Sequence, residues 1–324
     1  MRSTALLGAI GATVAGLMCG CARTQGVVEN VEPVAVSTCH KMTTGAEIET
    51  VRPLRGVVLS IGRHHREDCG SLIGWDVLAS DLNDAIDLLP LDIQPGDVVV
   101  LNVDSTGGTH AEAMRIARIV RQRLVPTYQT VAWIQFAFNS VMIVPASVDR
   151  VVMMPGAHWG FAEGFGDGRE LEASERSNAK LDDYANFSGF SSNDRAFLRA
   201  ATISCGLSAS RIDGKVELFP DGTTGALQVA RERDWPAFLD APLAQSLELS
   251  EGTADTLEKV EEILGLGEIE WAGQQPANEW WPLSRAERLL RDRMFERDRQ
   301  HQQEMKARHL KWVAEESTHR LHRR

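Results

Sequence analysis

Apolar residues in this chain fall into short, nearly unbroken runs, separated by stretches in which they recur every three or four positions. Val57–Ile61, Val98–Val103, Thr130–Phe136 and Val148–Met154 are runs of the first kind. Such runs fit strands of a sheet covered on both faces. Between them, Trp75–Leu89 (Val77, Leu78, Leu82, Ile86, Leu88) and Ala111–Leu124 (Met114, Ile116, Ala117, Ile119, Val120) carry helical spacing, the second stopping before Pro126. Strand, helix, strand, short helix and strand in that order imply parallel pairing through right-handed crossovers, an α/β layer fold.

Downstream the pattern loosens. Gly164–Ala179 is rich in Gly and Glu and reads as a surface loop. Lys180–Gly206 reads as helix, Val216–Leu218 and Gln245–Leu249 as short strands, and Ala254–Leu264 as a helix ended by Gly265. Ser284-Arg285-Ala286-Glu287 forms a capping box, and no Gly or Pro follows it. Apolar positions there are sparse (Leu289, Leu290, Met294, Leu310, Trp312, Val313), which predicts a long solvated helix, with partner docking or contact with a membrane surface as alternatives. Trp280-Trp281, just before it, fits either core or an interfacial anchor.

Charge sharpens this division. From Leu283 onward there are 12 Lys and Arg against 7 Asp and Glu, which leaves −16 on the remainder of a chain whose net charge is −11. An acidic body argues against nucleic acid as the main partner. At the other end, Arg2 precedes the apolar stretch Ala5–Met18, the length of a secretory leader, and Gly20-Cys21 resembles a bacterial lipobox. The expected organisation is a lipoprotein-type signal peptide over 1–21, a polar tether over 22–53, a domain over 54–270 and a basic C-terminal helix over 271–324. Lipidation at Cys21 would anchor the exported chain to the membrane of the periplasm or cell envelope. Export leaves Cys39, Cys69 and Cys205 in a compartment that permits disulfides; Cys39–Cys69 is one pairing, three separate thiols the other.

The chemistry concentrates in Asp97–Glu163. One strand ends in Asp104-Ser105-Thr106-Gly107-Gly108, and the next leads into Asn139-Ser140. Paired glycines free main-chain N–H groups to collect a carbonyl oxygen, and a hydroxyl at the following turn can attack its carbon. The order strand, Ser-Thr-Gly-Gly, helix, strand, short helix, strand-Pro155-Gly156 resembles the ClpP/crotonase superfamily, and more narrowly the exported SppA/NfeD-type serine proteases, over about Leu54 to Leu266. Leu247–Ser250 with Gly252–Glu258 is similar to the closing strand and helix of that family.

The resemblance implies a layered parallel sheet with flanking helices and a homo-oligomer. It also implies an endopeptidase that cleaves membrane-associated or unfolded proteins without a cofactor. Ser140 would be the nucleophile, Lys180 the base, and Gly107 and Gly108 the oxyanion donors. A gapless alignment back from Pro155 instead places Asn139 at the nucleophile position. A helical turn separates adjacent side chains by about 100°, so Asn139 there implies a catalytically inactive relative that binds peptides or scaffolds an envelope complex.

Competing arrangements are a Ser140–His110 or Ser140–His158 pair oriented by Asp104, and Lys215 as base. An acyl-CoA enzyme is a more distant alternative. His64, His65, Glu67 and Cys69 are possible metal ligands but lack a matching second half, so no metal site is expected.

Overall fold

The computed structural model describes residues 52–62, 71–74, 76–160, 182–184, 186–187, 189–203, 205–230, 237–277 and 279–322, all in one unit running from Arg52. The signal peptide, Cys21, most of the tether, Cys39, His64, His65, Glu67, Cys69, the Gly164–Ala179 loop and Lys180 lie outside the described residues.

Strand β1 (Leu54–Gly62) is buried from Gly56 onward. Short β2 (Ser71–Ile73) precedes helix α1 (Ala79–Leu88) and β3 (Val98–Gly108). Helix α2 (His110–Ile119) continues into a π-helical turn over Val120–Leu124. Strands β4 (Gln129–Phe138) and β5 (Arg150–Gly160) follow. Helix α3 (Ser192–Ile203) leads to a small antiparallel sheet of β6 (Leu207–Ile212), β7 (Lys215–Phe219) and β8 (Leu227–Ala230), with β6 in the middle. Strand β9 (Phe238–Asp240), helices α4 (Ala241–Ser246) and α5 (Leu257–Leu264), strand β10 (Ile269–Trp271) and helix α6 (Arg285–His322) complete the order.

The main sheet runs β10-β1-β3-β4-β5-β9, with β2 beside the far end of β3. Every pairing is parallel except β5 with β9. Val57, Leu59, Val99, Leu101, Val131 and Ile134 are essentially inaccessible, as strands covered on both faces require. This is the layered parallel sheet with flanking helices and a long C-terminal helix expected of a ClpP/crotonase-like pattern.

Four local expectations are corrected. Gln245–Leu249 is not a strand: Asp240 caps α4 by accepting the Leu243 N–H at 2.9 Å, and the chain turns at Glu248, whose φ is 57°. Leu247 and Leu249 are both buried, so their two-residue spacing imitated a strand. The segment beside β5 is instead 251–254, where Glu251 N–H donates to Val151 O at 2.8 Å and Met153 N–H to Gly252 O at 3.0 Å. The helix expected over Lys180–Gly206 is interrupted where described: residues 182–184 and 186 are helical, 187 and 189–191 are not, and α3 begins at Ser192. Strand β5 does not end at Pro155-Gly156. Its register with β4 jumps from Ile134↔Met153 to Phe136↔His158, so the residues between bulge out and pairing resumes.

The capping box at the start of α6 forms only on one side. Glu287 N–H donates to Ser284 Oγ at 3.1 Å, but the Glu287 carboxylate reaches β1, accepting Ser60 N–H at 2.7 Å and Ser60 Oγ–H at 2.5 Å. Glu287 is fully buried, and burial pushes its carboxyl up against the opposing pull of Arg291. Arg291 donates to Glu287 and Glu279, each at 2.6 Å, and lies 5.4 Å over the Trp281 ring. One turn of helix thus closes a buried charge network against the sheet. Farther along, Arg297 pairs with Asp81 of α1. The tryptophan pair divides, with Trp281 inaccessible against Trp133 and Trp280 about half exposed.

Candidate functional site

At the carboxyl end of β3 the backbone takes positive φ at Gly107 (109°) and Gly108 (138°). Packing requires glycine at both. A Cβ on Gly108 would sit 2.0 Å from Ile73 O on β2, and one on Gly107 would sit 2.4 Å from Asn139 Cβ. The expected oxyanion role meets an obstacle here, because the Gly107 N–H donates to Ser105 Oγ at 3.2 Å.

Across from this turn, β4 ends at Phe138 and the chain passes through Asn139 at φ 53° into a 3-10 turn over Asn139–Ile143. A left-handed residue between strand and helix lifts its side chain clear of the sheet edge, and Asn is among the few non-glycine residues that adopt this conformation readily. The Asn139 amide donates to Thr106 O at 2.9 Å, while its Oδ1 is buried with no hydrogen-bond partner.

From Ser140 the chain turns inward. Val141, Met142 and Ile143 are fully buried, and the Trp159 indole donates to Met142 O at 2.8 Å. Ser140 itself is 3% exposed, and its hydroxyl donates to Gly108 O at 3.0 Å. The four residues Gly107, Gly108, Asn139 and Ser140 therefore lie together. Within that group Asn139 holds the half-exposed elbow, and Ser140 faces a carbonyl that an attacking hydroxyl would have to leave.

The histidine arrangements do not form. His110 Nε2 lies 2.9 Å from Asp183 Oδ2, and its ring meets Tyr184 edge-on at 5.6 Å. His158 stacks on Phe238 at 4.6 Å and meets Phe136 edge-on at 6.3 Å. Register sets Asp104 opposite Phe136 and Phe136 opposite His158, so an aromatic ring stands between the carboxyl and the imidazole. Burial lowers the His158 pKa, with Asp240 opposing, and burial pushes the Tyr184 phenol up. Lys215 is exposed at the start of β7. Cys205 is a half-buried free thiol. Among the described residues no cluster could hold a metal ion.

Two further features border the turn. The Asp104 carboxyl is pushed up by burial to about 7, so it exchanges its proton near neutrality. Beside it, Phe136 stacks on Phe138 at 4.1 Å, and Phe138 meets Phe238 at 5.5 Å. Phe136 and Phe138 are half-buried and Phe238 is 40% exposed, which makes an aromatic surface at the carboxyl edge. The Trp133–Phe138 stretch reads as core from sequence alone. The register shift that skips Gln135 is marked in the sequence only by that one polar residue in an otherwise apolar run.

No family model matches the chain, and no curated protein matches it. Among solved structures, a mutant of the 1510-N membrane-bound stomatin-specific protease is similar with a TM-score of 0.45 and 10% identity, covering 70% of this chain and 100% of that one. A putative enoyl-CoA hydratase from Streptomyces coelicolor A3(2) is similar with a TM-score of 0.31 and 16% identity, covering 71% of this chain and 76% of that one. Neither likeness bears on the chemistry of the turn.

Proposed function

We propose that the protein is a catalytically inactive ClpP/crotonase-like chain that binds peptides at the carboxyl edge of its sheet and serves as a scaffold in the cell envelope. One observation carries this reading. The elbow after β4 presents Asn139, while the next residue, Ser140, is buried and its hydroxyl donates to Gly108 O at 3.0 Å. A carboxamide is no nucleophile for acyl transfer. The half-buried Asn139 and the half-exposed rings of Phe136 and Phe138 beside it offer a surface on which a peptide can pack. Export and membrane anchoring through Cys21 belong to the same proposal, as does assembly into a homo-oligomer.

A serine endopeptidase working through Ser140 and Lys180 is the second reading. The observation in its favour is that the Ser140 hydroxyl does reach the glycine turn. For catalysis it would have to exchange the Gly108 carbonyl for the lysine amine, and Gly107 N–H would have to leave Ser105.

Anisotropy of fluorescein-labelled casein peptides, with gel analysis of the same mixtures, separates the two. The inactive reading expects saturable binding that Ser140→Ala leaves unchanged, with peptides intact after a day. Cleavage by the wild type that Ser140→Ala abolishes would establish the second reading instead.

A further inference from the structure

On the α6 side of the sheet a second cleft of about 660 Å³ opens, sharing no lining residue with the Gly107–Asn139 turn. That volume falls in the range of roughly 300–1,000 Å³ usual for ligand sites. Its floor is Trp133 and Met154, its rim the half-exposed Trp280, and the polar groups around it are Gln135, Asp255, Thr256, Glu258 and Gln275, whose Nε2 already donates to Glu279 O at 3.0 Å.

The charge of those groups is one-sided. Gln135 Oε1 is a buried acceptor with no hydrogen-bond partner. Asp255 and Glu258 are exposed carboxylates, and among the described residues no cation pairs with either, since the neighbouring Lys259 bonds Glu262 at 2.7 Å. Thr256 Oγ1 already accepts the Lys259 N–H at 3.3 Å as the cap of α5. What remains open is a set of two carboxylates beside the half-exposed Trp280 indole. Such a set selects a group with donors only, a positive charge and an apolar stem. The acidic body around it draws cations toward the mouth.

We propose that this cleft binds the guanidinium side chain of an arginine in a peptide segment, with the alkyl stem against Trp280 and Met154 and the charge between Asp255 and Glu258. Guanidinium fits better than ammonium because its planar fork can bridge two carboxylates and still stack on an indole. The assignment uses none of the residues behind the proposed function at the Asn139 turn, and the two fail separately.

Titration calorimetry at low salt tests it with acetyl-Ala-Arg-Ala-amide, the same peptide carrying citrulline, and spermidine. Two exposed ion pairs and one cation–π contact sum to about a tenfold effect. The arginine peptide should therefore bind about tenfold more tightly than the citrulline peptide, and about fivefold more weakly to the Asp255→Asn/Glu258→Gln double variant, which keeps the cation–π contact. Trp280→Ala should also weaken it, and Ser140→Ala should leave it unchanged. All three altered positions outside the turn are exposed, so these variants should fold. Equal binding of the citrulline peptide, undiminished binding to the double variant, or tighter binding of spermidine would each overturn the assignment.

Discussion

Residue 139 decides the chemistry of the candidate site. With φ at 53° it occupies a conformation that costs most side chains about 1 kcal/mol or more, and Asn tolerates it through local hydrogen bonding. The bond from its amide to Thr106 O ties the elbow to the glycine turn. Gly108 is equally constrained: Gly108→Ala would drive a methyl into Ile73 O, and we expect a loss of about 3 kcal/mol, read as a shift in the urea midpoint.

Asp104 supplies the pH dependence at this scale. Its pKa rises from 3.8 to about 7 on folding, so the folded chain holds a proton that the unfolded chain releases between those values. Stability is therefore favoured below pH about 4 and declines as pH rises through about 7. Asp104→Asn should flatten that decline and raise stability at pH 8; urea unfolding across pH 4–8 measures it. An unchanged slope would remove Asp104 as its source.

Among the elements, the strands were the most legible. Val98–Val103 and Thr130–Phe136 announce buried parallel strands because only a single interior polar residue, Asn102 or Gln135, interrupts each, and the structure extends both toward the site. The turn residues were legible as a group, since paired glycines and Asn139-Ser140 follow successive strands. Which of the two side chains faces outward was not. That depends on the burial of Val141–Ile143, a tertiary fact that outweighs the local pattern. The capping box was half legible for a similar reason: Ser284 caps α6, whereas Glu287 is recruited by Ser60 from a strand more than two hundred residues away in sequence. Removing that carboxylate would strand Arg291 and the Ser60 N–H. Glu287→Ala should therefore cost about 3 kcal/mol, and Glu287→Gln less, in the same unfolding assay.

The whole molecule joins an acidic body to a basic helical arm. Helix α6 spans about 57 Å at 1.5 Å per residue. It is held at its start by Glu287, Leu290, Met294 and Arg297, while residues 299–312 are exposed throughout. No described helix is long and apolar enough to cross a membrane. Truncation after Asp298 should therefore change the stability of the body by less than about 0.5 kcal/mol, as judged by the urea midpoint; a larger loss would mean that the arm packs on the body.

The claim on which the rest depends is that the turn after β4 carries no working nucleophile. Intact-mass spectrometry after incubation with a fluorophosphonate probe tests this most directly. The buried Ser140 hydroxyl, bonded to Gly108 O, predicts an unshifted mass under conditions that label an active serine hydrolase to completion. A single stoichiometric adduct, mapped to Ser140 and absent from Ser140→Ala, would contradict the account.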